Sequence, residues 1–297
     1  MEKISFYDQI AKNKRNSILL AAFVFFILSL LIYVIGEILA PEFSLIFLIF
    51  AIFFVLLYTY GTYMYGDKVV LAATNAKPIK EDDKNYLHLI NTVEGLSIAA
   101  GIPKPKIYVI ESDEINAFAT GRNPENASIA VTTGLLKNLK RDEIEGVIGH
   151  EISHIKNYDI RFMTLVAVMV GLVAILSHLL LRSMRYGSRR EERKGGSLLI
   201  IIGLILALIS PIIVRLVQFA VSRRREFLAD ASSVELTRYP EGLASALEKI
   251  MKINQGKMNV SEAVSHLFFT DPNRSPLDKL YATHPPIEER IKILRSM

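Results

Sequence analysis

The chain has 297 residues, no cysteine, a net charge of +5 and a mean hydropathy of +0.31, with 51% of its residues hydrophobic. The lack of cysteine excludes disulfides and any thiolate zinc site, so a bound metal must use His, Asp or Glu. The apolar residues fall in four blocks with Lys and Arg crowding their ends, which points to lipid headgroups as partners rather than nucleic acid; no aromatic-plus-basic nucleic-acid motif is present.

The first block runs from about Ser17 to Ile35 and the second from about Phe43 to Tyr60. Each is close to the ~20 residues that cross a hydrocarbon core as a helix. Lys3, Lys12, Lys14 and Arg15 precede the first block, and the connection from Gly36 to Glu42 has two acidic residues and no basic one. The positive-inside rule then places the N-terminus in the cytoplasm and the connection outside. A cleaved signal peptide is the competing reading, but the run is too long and a second span follows at once. Residues 1–66 therefore read as an N-terminal transmembrane hairpin.

Residues 67–160 read as a cytoplasmic segment. A helix opens at Glu81-Asp82-Asp83, carries Leu87, Ile90, Val93 and Leu96 on one face and ends near Gly101-Ile102-Pro103. Lys106 to Ile110, Asn116 to Gly121 and Ala127 to Thr132 read as strands, with a turn around Asn123-Pro124. Asn116 to Thr120 has two readings: a plain structural strand, or an edge that pairs with an extended peptide.

Next comes His150-Glu151-Ile152-Ser153-His154, an H-E-x-x-H sequence. Acidic residues at 142 and 143 suit a helix N-terminus, and Ile144, Ile148, Ile152 and Ile155 recur at helical spacing. On that helix the two imidazoles share a face, two nitrogens bind one Zn2+, and Glu151 is left to act on water. The alternative is a chance match on an ordinary core helix. Gly146 and Gly149, costly in a helix, suggest that another element packs closely there.

The third block runs from about Phe162 to Leu181 and the fourth from about Ser197 to Val214. Between them Arg182 to Gly196 has six basic and two acidic residues. These blocks, within 161–219, read as a second transmembrane hairpin, although an external loop so basic runs against the positive-inside rule. Residues 220–297 complete the soluble part. Glu226 and Asp230 share a helix face four residues apart; with no cysteine available Glu226 is a natural candidate for a third zinc ligand, and Asp230 is then placed to hydrogen-bond a liganding imidazole. Alternatively, Glu226 pairs with its neighbouring arginines on a solvated helix. His88, His178 and His266 read as structural, with His266 in a helix-like stretch from Ser261 to Phe269. Asp159 follows His154 by five residues and has two readings, a support behind the zinc ligands or a simple helix-end residue; neither is assigned. His284 stands before Pro285-Pro286, and Ile287, Ile291 and Leu294 face the core of a last helix with Arg290 one turn in.

Four features occur together: an N-terminal pair of spans, H-E-I-S-H leading into a third, R-R-R-E-F-L-A-D after a fourth, and T-H-P-P-I-E-E-R near the end. Over nearly its whole length the chain resembles the HtpX family of membrane-bound zinc metalloproteases, relatives of the CAAX prenyl proteases. The resemblance implies an α+β, mainly helical membrane protein with four transmembrane helices and a zincin-like cytoplasmic protease domain containing a small β-sheet. It implies one Zn2+ per chain held by His150, His154 and Glu226, with Asp230 behind the ligands and Glu151 as the base. Asn116, Ala117 and Phe118 match the family's substrate-side strand. His284 and Arg290 match a pair that supports the tetrahedral intermediate. The role implied is hydrolysis of misfolded or damaged membrane proteins in a prokaryotic cell membrane, with both termini and the active site cytoplasmic. A prenyl-protein protease and a catalytically silent scaffold are the alternatives. A channel or carrier fits poorly, since no internal repeat is evident and the spans hold few charges.

Overall fold

The computed structural model describes residues 11, 13–23, 25, 26, 29, 41–169, 171, 223–258, 260–273 and 284–297. The fourth apolar block, the basic loop before it and His178 lie outside the described residues. The described residues between 11 and 29 are helical. Helix α1 spans Ser44–Ala73, well past the expected end of the second block. At 1.5 Å per residue it is about 45 Å long, more than a hydrocarbon core requires. Its outer face carries exposed Ile49, Phe50, Phe53 and Leu57, an apolar surface too large to leave in water. Among the described residues this is the one helix long and apolar enough to cross a membrane, over Leu48–Ala73.

The soluble part is built on a four-stranded sheet: β1 (Lys77–Pro78), β2 (Lys106–Ile110), β3 (Ala117–Gly121) and β4 (Ala127–Thr132), in the order β1-β2-β4-β3. β2 and β4 are parallel, and β3 returns antiparallel to β4 with Phe118 opposite Ala130. Alternate residues point to opposite faces of a strand. Ala117, Ala119, Ile129 and Val131 therefore enter the main core, while Phe118 and Ala130 join a second cluster with Val70, Leu71 and Phe162. The sheet thus separates the main core from the cluster that packs against the C-terminal end of α1.

Helix α2 (Leu87–Ala100) buries Leu89, Ile90, Val93 and Leu96 and stops at Gly101, whose φ of 71° is the left-handed cap that glycine suits. Leu87, expected on the buried face, is half exposed at the first position of the helix, where Leu89 and Ile90 take the buried side. After α3 (Thr133–Asn138) comes α4 (Arg141–Lys156), the H-E-x-x-H helix. Its isoleucines 144, 148, 152 and 155 are all buried, as their spacing predicts. Helices α5 (Arg223–Thr237) and α6 (Pro240–Ile253) cross α4, and α8 (Ile287–Leu294) closes the core with Ile287, Ile291 and Leu294. Pro285 and Pro286 precede α8 rather than forming its first turn.

The two glycines of α4 mark where its partners touch it. A Cβ on Gly146 would lie 2.7 Å from the backbone nitrogen of Leu243, and one on Gly149 would lie 2.8 Å from Ser233 Oγ. Ser233 Oγ donates to the Gly146 carbonyl at 2.6 Å. Gly146→Ala gains about 1 kcal/mol of helix propensity but overpacks against backbone, which typically costs about 1–3 kcal/mol. The net expectation is destabilisation, read as a lower melting temperature. A rise would mean that α6 moves aside freely.

Candidate active site

Helix α4 sets His150 and His154 one turn apart, with their Nε2 atoms 3.1 Å from each other. Each ring is held from behind. His150 Nδ1 lies 2.9 Å from Asp230 Oδ1, and His154 Nδ1 lies 3.1 Å from Asp159 Oδ2. A neutral imidazole that donates through Nδ1 presents its Nε2 lone pair forward. Both lone pairs then converge on the carboxylate of Glu226, delivered by α5. Glu226 Oε1 is 3.5 Å from His154 Nε2 and Oε2 is 3.8 Å from His150 Nε2. One ligand atom from each residue lies within 4.8 Å of the others, and all three side chains are buried. Two imidazole nitrogens and a carboxylate fit a divalent cation with one position left open.

The electrostatics agree. Burial pushes His150 down to about 4, and Asp230 only partly opposes that. Burial also acts to lower His154, but its hydrogen bonds to Asp159 and Glu226 outweigh this and hold it well above its ordinary value. Metal binding at the three ligand atoms therefore competes with protonation of His154. Glu226 is buried, yet the charges of His284 and His154 keep it well below the usual carboxylate range. Glu151 behaves differently: burial, reinforced by the charge of Glu226, pushes its carboxyl up to about 7. It accepts a hydrogen bond from the Ala119 backbone and has no place among the ligand atoms.

His284 and Arg290 both reach this centre, by way of its carboxylates. His284 Nδ1 is 3.0 Å from Glu226 Oε2, and its Nε2 is buried with no hydrogen-bond partner among the described residues. Arg290 is fully buried; its Nε and Nη2 donate to both oxygens of Asp230 at 2.8 and 2.7 Å. Its Nη1 alone has no hydrogen-bond partner among the described residues and lies 3.8 Å from Glu226 Oε2.

Two features go beyond what the sequence assigned. Asp159 holds His154 as Asp230 holds His150. The segment after α7 (Glu262–Ser265) is not the helix expected through Phe269. It turns and lies along the edge of β3: the Phe269 N–H donates to the Ala117 carbonyl at 2.8 Å, Phe268 bridges Phe118, and Asn116 exchanges hydrogen bonds with Thr270. The edge of β3 at Ala117 and Phe118, which the sequence reads as either a plain structural strand or a peptide-pairing edge, is thus paired with the chain's own Phe268–Thr270. The ring of Phe269 lies 4.8 Å from that of His150 and beneath the Arg290 guanidinium. His266 is structural, as expected, with Nε2 3.2 Å from the Met163 carbonyl.

The model of Peptidase family M48 matches residues 83–297, a span that takes in every residue of this centre. The chain belongs to peptidase family M48. Relatives named "Protease HtpX homolog" extend the M48 likeness over its full length. That of Dictyoglomus turgidum is 46% identical over 299 residues, covering 100% of this chain and 96% of its own. That of Thermoanaerobacter pseudethanolicus is 44% identical, covering 100% and 99%. That of Streptococcus uberis is 40% identical, covering 98% and 99%. The crystal structure of S. mikatae Ste24p shares the fold, with a TM-score of 0.50 and 20% identity over 96% of this chain and 67% of that one. As an M48 member the protein is a metalloprotease, and the only described group of three residues able to hold a metal is His150, His154 and Glu226. Glu226→Ala should therefore lower metal content in the purified protein, since it leaves two imidazoles without their anion. Full occupancy with intact proteolysis would place the third ligand elsewhere.

Proposed function

We propose that this chain is a zinc-dependent endopeptidase of a prokaryotic cell membrane that hydrolyses misfolded or damaged membrane proteins on the cytoplasmic side. The observation that carries this reading is the convergence of buried ligand atoms of His150, His154 and Glu226 within 4.8 Å of one another, with the buried carboxyl of Glu151 on the same helix as the two histidines. Zn2+ held by His150, His154 and Glu226 supplies a Lewis acid that polarises a carbonyl and acidifies water. Glu151 takes a proton from the attacking water and passes it to the departing amine. Among the described residues His284 Nε2 and Arg290 Nη1 have no hydrogen-bond partner; Arg290 Nη1, and His284 Nε2 in the imidazolium form, are the donors this reading assigns to the developing oxyanion. A peptide that pairs with β3 at Asn116 to Phe118 must first displace Phe268–Thr270 from that edge.

The architecture proposed is a hairpin of spans at 1–66, protease segments at 67–160 and 220–297, and a second hairpin at 161–219. The zinc ligands lie on both sides of the second hairpin, so that hairpin crosses the membrane twice or not at all. The crossing form places the centre next to the bilayer and membrane-proximal segments within its reach.

The test combines chemistry and topology. Protein purified from membranes should contain one zinc per chain and digest an unfolded membrane protein; activity should vanish on chelation and return with Zn2+. Stoichiometric zinc without any cleavage would leave a silent scaffold. A cysteine at Ser188, in a chain otherwise free of cysteine, should react with an impermeant thiol reagent outside intact cells. Labelling only after lysis would overturn the crossing hairpin.

A further inference from the structure

Helix α4 does not run straight on toward the third apolar block. It ends at Lys156, and Asn157 and Tyr158 form a turn in which Tyr158 has a φ of 60°. This is the left-handed region, which a bulky side chain rarely adopts. Helix resumes at residue 159. In an unbroken helix residue 159 would project about 140° away from residue 154, five steps of about 100° each, and could not reach its ring. The break folds Asp159 back, so its Oδ2 lies 3.1 Å from His154 Nδ1.

The break is gripped from outside the protease domain. Asn13, ahead of the first apolar block, is fully buried against it. Its Nδ2 donates to the Asn157 carbonyl at 2.8 Å and to Asp159 Oδ1 at 2.6 Å. Both amide hydrogens are thus used, one on each side of Tyr158. The next residue, Lys14, sets its Nζ 4.1 Å over the Tyr158 ring. From the other direction Arg225 Nε lies 3.5 Å from Asp159 Oδ1, one residue before Glu226. Asn13 Oδ1 is buried with no hydrogen-bond partner among the described residues.

We propose that Asn13 is a positioning residue of the metal centre. It fixes the Asp159 carboxylate that holds the ring and tautomer of His154, so the seating of the N-terminal helix on the protease domain sets metal affinity. The membrane segment is then a part of the centre as well as an anchor. This rests on the reading of His150, His154 and Glu226 as metal ligands.

The experiment titrates full-length, chelator-stripped protein in detergent with Zn2+ against a competing chelating dye, beside melting curves of the metal-free forms. Wild type should bind one zinc; if it binds none, the ligand reading itself fails. Asp159→Ala should weaken zinc about 10–100-fold, the range for partners that orient a ligand. Asn13→Ala should weaken it several-fold, and add nothing in the Asp159→Ala background, because the two act through one chain of contacts. Asn13→Asp keeps the shape but replaces two donors with acceptors, and should weaken zinc more than Asn13→Ala does. A packing role predicts the reverse order, or a lower melting temperature with zinc affinity unchanged. Either result overturns the proposal, as would additive effects of Asn13 and Asp159.

Discussion

Replacing Glu151 with Gln is expected to cut peptide hydrolysis by about 10²–10⁴-fold, the range for loss of a general base, while zinc content and melting temperature stay near wild type. Gln keeps the size of the side chain and a hydrogen-bonding group beside the Ala119 backbone. It removes only the ability to take a proton. The ligands His150, His154 and Glu226 are untouched. The pH profile provides a second reading. Burial raises the Glu151 carboxyl to about 7 in the metal-free site, and a nearby cation favours its charged form and so lowers that value. The base is active as the carboxylate, so hydrolysis should fall as pH drops through an acid limb lying below 7. Near-normal hydrolysis by the Gln variant, or an acid limb well above 7, would remove Glu151 from the reaction.

Arg290→Leu should have the largest effect on stability. Its Nε and Nη2 hold both oxygens of Asp230, and both residues are almost wholly buried. Removing one partner of a buried pair leaves an uncompensated charge, at a cost of about 3–5 kcal/mol. Asp230 also holds His150 Nδ1, so zinc affinity should fall together with the melting temperature. Asp230→Asn in the Arg290→Leu background removes the stranded charge and should recover part of the stability, the coupling expected of residues in contact. The pair also fixes a pH dependence. Against its own burial, the Arg290 charge leads the interactions that keep the Asp230 carboxyl below its ordinary value. The stability this gives is present above the unfolded-state value and is lost as pH falls through the acid range. If Arg290 served the oxyanion alone, Arg290→Leu would lower kcat with the melting curve unchanged. Calorimetry beside a rate measurement separates the two roles.

Local periodicity determined the parts of this protein that depend only on neighbours along the chain. Four-residue spacing put His150 beside His154 and Glu226 beside Asp230, because 3.6 residues per turn brings i and i+4 to one face whatever surrounds them. Lys106 to Ile110 and Ala127 to Thr132 read as strands and form β2 and β4, and the glycines at 146 and 149 marked the close approach that α5 and α6 make. Tertiary contacts decided the rest. Asp159 is out of register with His154 in any regular helix, and reaches it only through the left-handed turn at Tyr158, which Asn13 grips from more than 140 residues away in sequence. The stretch from Ser261 to Phe269 has a helical pattern, but after Ser265 its backbone gains more from the unpaired edge of β3 than from another helical turn. Arg290 could be placed on a helix by its spacing. Its commitment to Asp230 could not, because a buried guanidinium pairs with whichever carboxylate folding brings within reach, and the intervening chain leaves no trace of which one that is.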